Sequence, residues 1–263
     1  MYMPSQPIEV KVSDVAGTII LNRPDYGNAL TRTMVLELSE ALDDLYLERR
    51  VRAIILTGAG DAFCVGADAA EMQLRSELEG AEESYGADAA EFRDLLVRML
   101  DITKPIIAAV HGPALGAGAA LVAASDLVVA SPTAAIGLPE VRHGMVAGVA
   151  GPLVGFRVGA SQAARLMLTG EALDANEALR IGLIHELTAP DTVWARAMDL
   201  ARQCAAGSPE AIQLTKRLLN ETMGENLATQ LSSGAVMSAT ARTTEAAAEG
   251  LAAWLEGRPP QWK

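Results

Sequence analysis

Hydrophobic positions along the chain follow three patterns. Residues 8–21, IEVKVSDVAGTIIL, alternate around a turn at Asp14–Gly17 and predict a hairpin of two strands. Thr31 opens a stretch in which Met34, Leu38, Leu42 and Leu45 recur at helical spacing, which predicts an amphipathic helix to about Arg49. Val51–Thr57, VRAIILT, is a short continuous apolar run, the pattern of a buried strand. Residues 104–131, KPIIAAVHGPALGAGAALVAASDLVVAS, combine these signals. They predict a buried strand over Pro105–Val110, a tight Gly/Pro turn, a small-residue helix and a second strand over Leu127–Ala130.

Polar stretches separate the apolar ones. LNRPDYGNAL reads as a loop, and GAGDAFCVGADAAEM as a glycine loop after the second strand run. From Leu74 to Asp101 the sequence is charged and helical, and Gly80 and Gly86 predict a mobile segment before a helix from about Asp88. That segment reads equally as a solvated face or as a lid over the preceding loop. MLTGEALDANEALRIGLIHEL predicts a turn, a helix capped by Asp174 or Asn176, and a short strand. A strand–strand–helix order thus recurs near 8–49, 51–101 and 105–187, which suggests a spiral of ββα units. The last 70 or so residues are mostly helical, with a capped helix at Ser208–Pro209 and another pattern from about Asn226 to Leu255. Leu227, Leu231, Val236, Leu251 and Trp254 are apolar there with no strand to cover, so they are expected to meet another subunit.

Composition narrows the function. Of 263 residues half are hydrophobic and only 4% aromatic, so the core is built from Ala, Leu, Val and Ile. A net charge of −12 disfavours binding to nucleic acid or to an anionic membrane surface. Cys64 and Cys204 are the only cysteines, far apart, so neither a disulfide framework nor a metal spacing is present. MYMPSQPIEV has no basic segment followed by an apolar run, so a cytoplasmic protein is expected. His111, Pro113, Asp126 and the glycines argue against reading 104–131 as a membrane helix. Gly116-x-Gly118 lacks the third glycine of a dinucleotide site, because Leu121 stands in its place.

The candidate chemistry lies in the glycine turn. Gly112, Gly116 and Gly118 permit close backbone approach, and a helix opening near Ala117 or Gly118 points its amides and dipole into the turn. An oxygen that gains negative charge during a reaction would be stabilised there. Glycines used only for close helix–sheet packing are the competing reading.

AFCVGADAAEM, KPIIAAVHGPALGAG with ASDLVVAS, and LPEVRHGMVAGVAG together resemble the enoyl-CoA hydratase/isomerase, or crotonase, family. LNRPDYGNAL, LTGEALDANEALRIGLI and AEGLAAWLEGRPPQW resemble further blocks of that family, so the likeness runs in order from about Leu21 to Trp262. The resemblance implies an α/β fold: a spiral of ββα units over 1–195 followed by a helical trimerisation domain over 196–263. It also implies a homotrimer or hexamer, an acyl-CoA thioester substrate, and no cofactor beyond the coenzyme A carried by that substrate. The thioester oxygen is expected between the backbone N–H groups of Ala67 and Ala117, with Cys64, Val65, Gly66, Asp68, Gly116 and Gly148 around the substrate.

Hydratases of the family hold a water between two glutamates. Glu140, in LPEV, falls on one of those positions, whereas Ala120 occupies the other. One base can still carry a proton between two carbons, so double-bond isomerisation is favoured over hydration. Hydration proper, or a non-catalytic acyl-CoA binding protein, are the alternatives; a carboxyl beside the thioester favours an enzyme. Arg23 and Lys263 are candidates to face the phosphates of coenzyme A, although Gly27 lacks the basic side chain often present in that loop. His143 reads as a surface or capping residue, His111 as a structural hydrogen-bonder, and Asp126 as a turn organiser. Met72, Leu96, Met99 and Leu100 are candidate walls for the acyl chain. Gly148 disfavours the diene isomerases that carry an aspartate there.

Overall fold

The structure is a computed structural model that describes residues 6–222, 224 and 226–262. The alternating run at 8–21 forms the antiparallel pair β1 (Ile8–Ser13) and β2 (Ala16–Leu21), with Ser13 opposite Ala16. Thr31 caps α1 (Arg32–Leu47), its hydroxyl accepting from the Met34 amide at 3.2 Å. The chain continues through β3 (Ala53–Gly58), α2 (Ala69–Ser76), α3 (Ala81–Asp101), β4 (Ile106–Val110), β5 (Ala114–Leu115) and α4 (Ala117–Ala124). It then runs through β6 (Leu127–Ala130), β7 (Ala135–Gly137), α5 (Ala150–Thr169), β8 (Ala172–Asp174), α6 (Ala175–Arg180) and β9 (Glu186–Leu187). Helices α7 (Val193–Ala205), α8 (Pro209–Arg217), α9 (Leu227–Arg242) and α10 (Glu245–Glu256) follow.

Six strands make the main sheet in the order β1-β2-β3-β4-β6-β9, parallel from β2 onward. Strand residues alternate between its two faces. Ile54 and Leu56 of β3 join the core with Leu38, Leu42, Leu96 and Leu121. Ala53 and Ile55, with Ile107, Ala109 and Val129, face Val193, Ala197, Met198 and Ala201 of α7. Both faces are covered, which is why these strands read as continuous apolar runs. The strands β5, β7 and β8 form a second, small sheet beside the first.

The structure departs from four expectations. The 51–101 unit has one regular strand, its second reduced to an isolated bridge between Cys64 and Ala114. Gly86 does not break the helix. It lies inside α3, which starts at Ala81 after the left-handed Gly80 and is anchored by buried Tyr85, Leu95, Leu96 and Met99. In the C-terminal region α7 covers the sheet, so the boundary between 195 and 196 falls within a core helix. Leu227, Leu231 and Leu251 are buried within their own chain, and only Val236 of the five named positions is largely exposed, at 67%. The helices α9 and α10 fold back onto α3, α2 and the 139–143 turn.

A buried ion pair fixes the edge of this arrangement. Lys216 of α8 is 6% exposed, and its Nζ donates to Asp126 Oδ2 at 2.7 Å and to the Met99 carbonyl at 3.0 Å. The same Asp126 oxygen accepts the Ile106 amide at 2.7 Å, so one carboxylate organises the start of β4, the turn before β6 and the docking of α8. Lys216→Met strands that carboxylate beside the core and should lower the unfolding free energy by about 3–5 kcal/mol. Urea denaturation measures it, and a loss below about 1 kcal/mol would place the pair in the class of solvated surface bridges.

Candidate active site

The loop after β3 is held in extended form between two other segments. On one side the Phe63 and Cys64 amides donate to the Pro113 carbonyl, and the Leu115 amide donates to the Cys64 carbonyl at 2.9 Å. On the other side the Leu30 amide donates to the Gly66 carbonyl at 2.8 Å and the Asp68 amide to the Leu30 carbonyl at 2.9 Å. Polar groups alternate in direction along an extended backbone. With Gly66 C=O and Asp68 N–H committed to Leu30, the Ala67 N–H faces the opposite way. The second amide belongs to Ala117, the first residue of α4, and first-turn N–H groups have no acceptor within their own helix. The α4 dipole adds partial positive charge at that point.

Two glycines bring these amides together. Gly66 (φ 113°) and Gly116 (φ 52°, ψ −116°) both adopt backbone angles that side-chain-bearing residues avoid. A Cβ on Gly66 would lie 3.2 Å from the Leu115 carbonyl oxygen and 3.8 Å from the Ala117 nitrogen, so the two segments pass in contact. Asp68 both caps a helix and orders the loop. Its Oδ1 caps α2 by accepting the Glu71 amide at 3.0 Å, and its Oδ2 accepts from Arg23 Nη1 at 2.9 Å, which ties the loop in place.

Glu140 sits on a 3-10 turn, Pro139–His143, directly beside the pair. A Cβ on Gly116 would meet Glu140 Oε1 at 3.1 Å. Among the described residues Glu140 Oε2 is buried without a hydrogen-bond partner. Burial pushes this carboxyl up to about 7, partly offset by a backbone hydrogen bond that favours its ionised form. Ala120, where a second carboxylate was sought, is fully buried and lines no part of the cavity.

The surrounding cavity is about 460 Å³, large enough for an acyl group, and mainly apolar. The C-terminal helices roof it by close backbone crossings. A Cβ on Gly148 would lie 2.1 Å from the Gly234 carbonyl oxygen of α9, and one on Gly250 of α10 would lie 2.1 Å from the His143 carbonyl oxygen. Ser238 Oγ accepts the Gly148 amide at 3.1 Å. An aspartate at 148 therefore has no room without moving α9, in keeping with the expectation drawn from Gly148.

Val65, Gly66, Ala67, Asp68, Gly116, Ala117, Glu140 and Gly148 all line the cavity. Cys64 does not reach it: the side chain is fully buried, and desolvation pushes its thiol up to about 12. Arg23 also lies outside the lining. Its guanidinium is engaged by Asp68 and the Ala29 carbonyl and stacks on Tyr26. Lys263 lies outside the described residues. Met72 lines the wall, whereas Leu96 and Met99 are core residues. His143 is corrected: it lines the cavity, half-buried, with its ring stacked on Trp254 at 4.5 Å. His111 is a structural hydrogen-bonder to the Gly60 carbonyl, as expected. The sequence reading missed Arg75, Tyr85, Asp88, Arg242 and Trp254, which reach the cavity from four separate helices. No spacing along the chain signals such a group; buried Tyr85 within a charged stretch was the nearest clue.

Among the described residues no group of three or more His, Cys, Asp and Glu is placed to hold a metal ion. Nor is any helix there long and apolar enough to cross a membrane. A family model described as enoyl-CoA hydratase/isomerase matches residues 13–263. A Thermus thermophilus protein carried under an enoyl-CoA hydratase name is 38% identical over 255 residues, covering 97% of this chain and 100% of its own. The 2,3-dehydroadipyl-CoA hydratase of Escherichia coli K12 is 33% identical, covering 93% of this chain and 94% of its own. The crystal structure of carnitinyl-CoA hydratase from Mycobacterium avium superposes with a TM-score of 0.84 at 33% identity, covering 98% of each chain.

The Glu140 environment has a consequence for stability. An acid whose folded pKa is raised from 4.5 to about 7 binds more protons folded than unfolded between those values. Its contribution therefore favours folding below that window and is lost as pH rises through it, by about 3 kcal/mol in total. Denaturation of wild type and Glu140→Gln at pH 5 and pH 8 should show the wild type losing more stability across the interval. Equal losses in both proteins would show that Glu140 titrates as an ordinary carboxylate.

Proposed function

The chain belongs to the enoyl-CoA hydratase/isomerase family, and from that premise we propose that it moves the double bond of an enoyl-CoA thioester. The thioester oxygen accepts from the Ala67 and Ala117 amides. Glu140 takes a proton from the carbon next to the thioester, and the C–H electron pair moves into a dienolate whose charge gathers on that oxygen. Fixed donors stabilise it without reorganising, and each such donor is typically worth on the order of 10²–10³ in rate. Glu140 then returns the proton to the far end of the dienolate. Base and acid are one carboxyl, and no atom is gained or lost.

The observation that carries this reading is one buried carboxyl beside the two amides, its Oε2 without a hydrogen-bond partner among the described residues, with fully buried Ala120 at the second acidic position. A pKa near 7 suits a group that must accept and release a proton at neutral pH. Hydration is the second reading, favoured by the names of the relatives. It needs an oriented water, and Ala120 offers no group to hold one. The same reading has copies of the chain assembling as a trimer or hexamer, with Leu214, Leu219, Val236 and Met237 as exposed apolar surface.

Glu140→Gln keeps the size and polarity of the side chain but removes the base. Turnover of a 3-enoyl-CoA should fall by roughly 10²–10⁴ while thioester binding changes little. Wild type given matched 3-enoyl- and 2-enoyl-CoA substrates should migrate the double bond faster than it adds water. Efficient hydration by the wild type overturns the single-base mechanism, and full activity of Glu140→Gln removes Glu140 from it.

A further inference from the structure

One wall of the cavity is charged, and its arginines are unevenly paired. Arg75 from α2, Asp88 and Tyr85 from α3, and Arg242 from α9 all line it. The two guanidiniums share the single Asp88 carboxylate: Arg75 Nη2 lies 3.2 Å from Oδ1 and Arg242 Nη1 lies 3.4 Å from Oδ2. Both distances exceed the 2.7–2.9 Å or so of a well-formed charge-assisted bond. Among the described residues Arg75 Nε and Asp88 Oδ1 are both buried without a hydrogen-bond partner, and the Arg242 guanidinium otherwise rests on the Tyr85 ring, 4.0 Å from its centroid.

The neighbouring arginine shows what a satisfied pair looks like on the same wall. Arg32 forks onto both oxygens of Glu91, its Nε donating to Oε2 at 2.8 Å. Arg75 and Arg242 have no such fork. Each guanidinium carries five donors, and buried donors are normally satisfied. Glu71, Asp88 and Glu91 match Arg32, Arg75 and Arg242 in number along the lining, so what sets Arg75 and Arg242 apart is unfilled donor capacity: two guanidiniums are loosely held by one carboxylate. Burial works against the Arg242 cation, which raises the value of an incoming anion.

We propose that this wall receives a second carboxylate on the acyl group, so that the substrate class is the mono-CoA thioester of an unsaturated dicarboxylic acid. The inference deepens the function proposed above and rests on the acyl-CoA reading of the cavity. Its geometry is consistent with a modest chain length. Arg75 lies seven residues along α2 from Asp68, roughly 10 Å at 1.5 Å per residue, and Asp68 adjoins the Ala67 amide. The reacting carbons lie at one end of that span and the distal carboxylate at the other. Arg75 and Arg242 are thereby specificity-determining residues rather than participants in proton transfer.

Binding of saturated, non-reacting thioesters to the full chain tests this without turnover. Each mono-CoA thioester of a straight-chain dicarboxylic acid is compared by calorimetry with the neutral thioester that carries a methyl group in place of the far carboxylate. At the best length the carboxylate ligand should bind at least tenfold tighter, as one charge-assisted hydrogen bond contributes on the order of tenfold to hundredfold. Arg242→Gln and Arg75→Gln should each bring that ratio close to one. Neutral ligands binding as well or better at every length would overturn the proposal, and that comparison needs only the wild type. A ratio that survives both substitutions would equally overturn it and leave the cluster as a strut between α2, α3 and α9. Failure of the Glu140 mechanism shows up separately, as efficient hydration by the wild type or full activity of Glu140→Gln with the binding ratio intact.

Discussion

The segment from Phe63 to Asp68 must run between Leu30 and Pro113–Leu115, bonded to both, and the site follows from that constraint. Neither neighbour is close in sequence, so the loop has its shape only when β2, β3 and β4 are already side by side in the sheet. The bonds to Leu30 decide which way the Ala67 amide faces. The bonds to Pro113 and Leu115 bring the loop against the start of α4. Fixed backbone donors result, and they can stabilise charge without the side chains at 67 and 117 taking part. On the proposed mechanism alanine is sufficient at both positions for that reason.

A second constraint acts on Glu140. A buried carboxyl is costly to ionise, and α10 packs against the turn that carries Glu140 while α9 crosses the segment just after it. Close backbone crossings at Gly148–Gly234 and His143–Gly250 make that closure tight. The C-terminal helices therefore shape the site within their own chain: they cover the turn that carries Glu140 and supply Ser238, Arg242 and Trp254 to the cavity.

What was legible in the sequence was local. Alternation at 8–21, helical spacing after Thr31 and the apolar runs at 51–57 and 105–110 reported their own burial, and the elements formed where those patterns lie. The glycine turn before Ala117 was legible because positive φ angles need glycine. Glu140 and the two amides came from ordered motifs rather than from periodicity. The charged stretch at 74–101 was not legible, because its solvated residues hide Tyr85 and Asp88, which meet Arg75 and Arg242 only through tertiary packing. The C-terminal apolar positions misled in the same way. Leu227, Leu231 and Leu251 look unpartnered in a run of helices, and nothing in their spacing says that the chain folds back on itself.

The central claim is that one carboxyl, tuned by burial, acts alone as acid and base. The pH dependence of kcat/KM for double-bond migration reads the essential groups of the free enzyme most directly. With Glu140 as the single base, the profile should rise with unit slope to a midpoint near pH 7 and then stay level, with no falling limb from a second essential acid. A profile flat from about pH 5 upward, or a bell with two essential ionisations, would contradict the account.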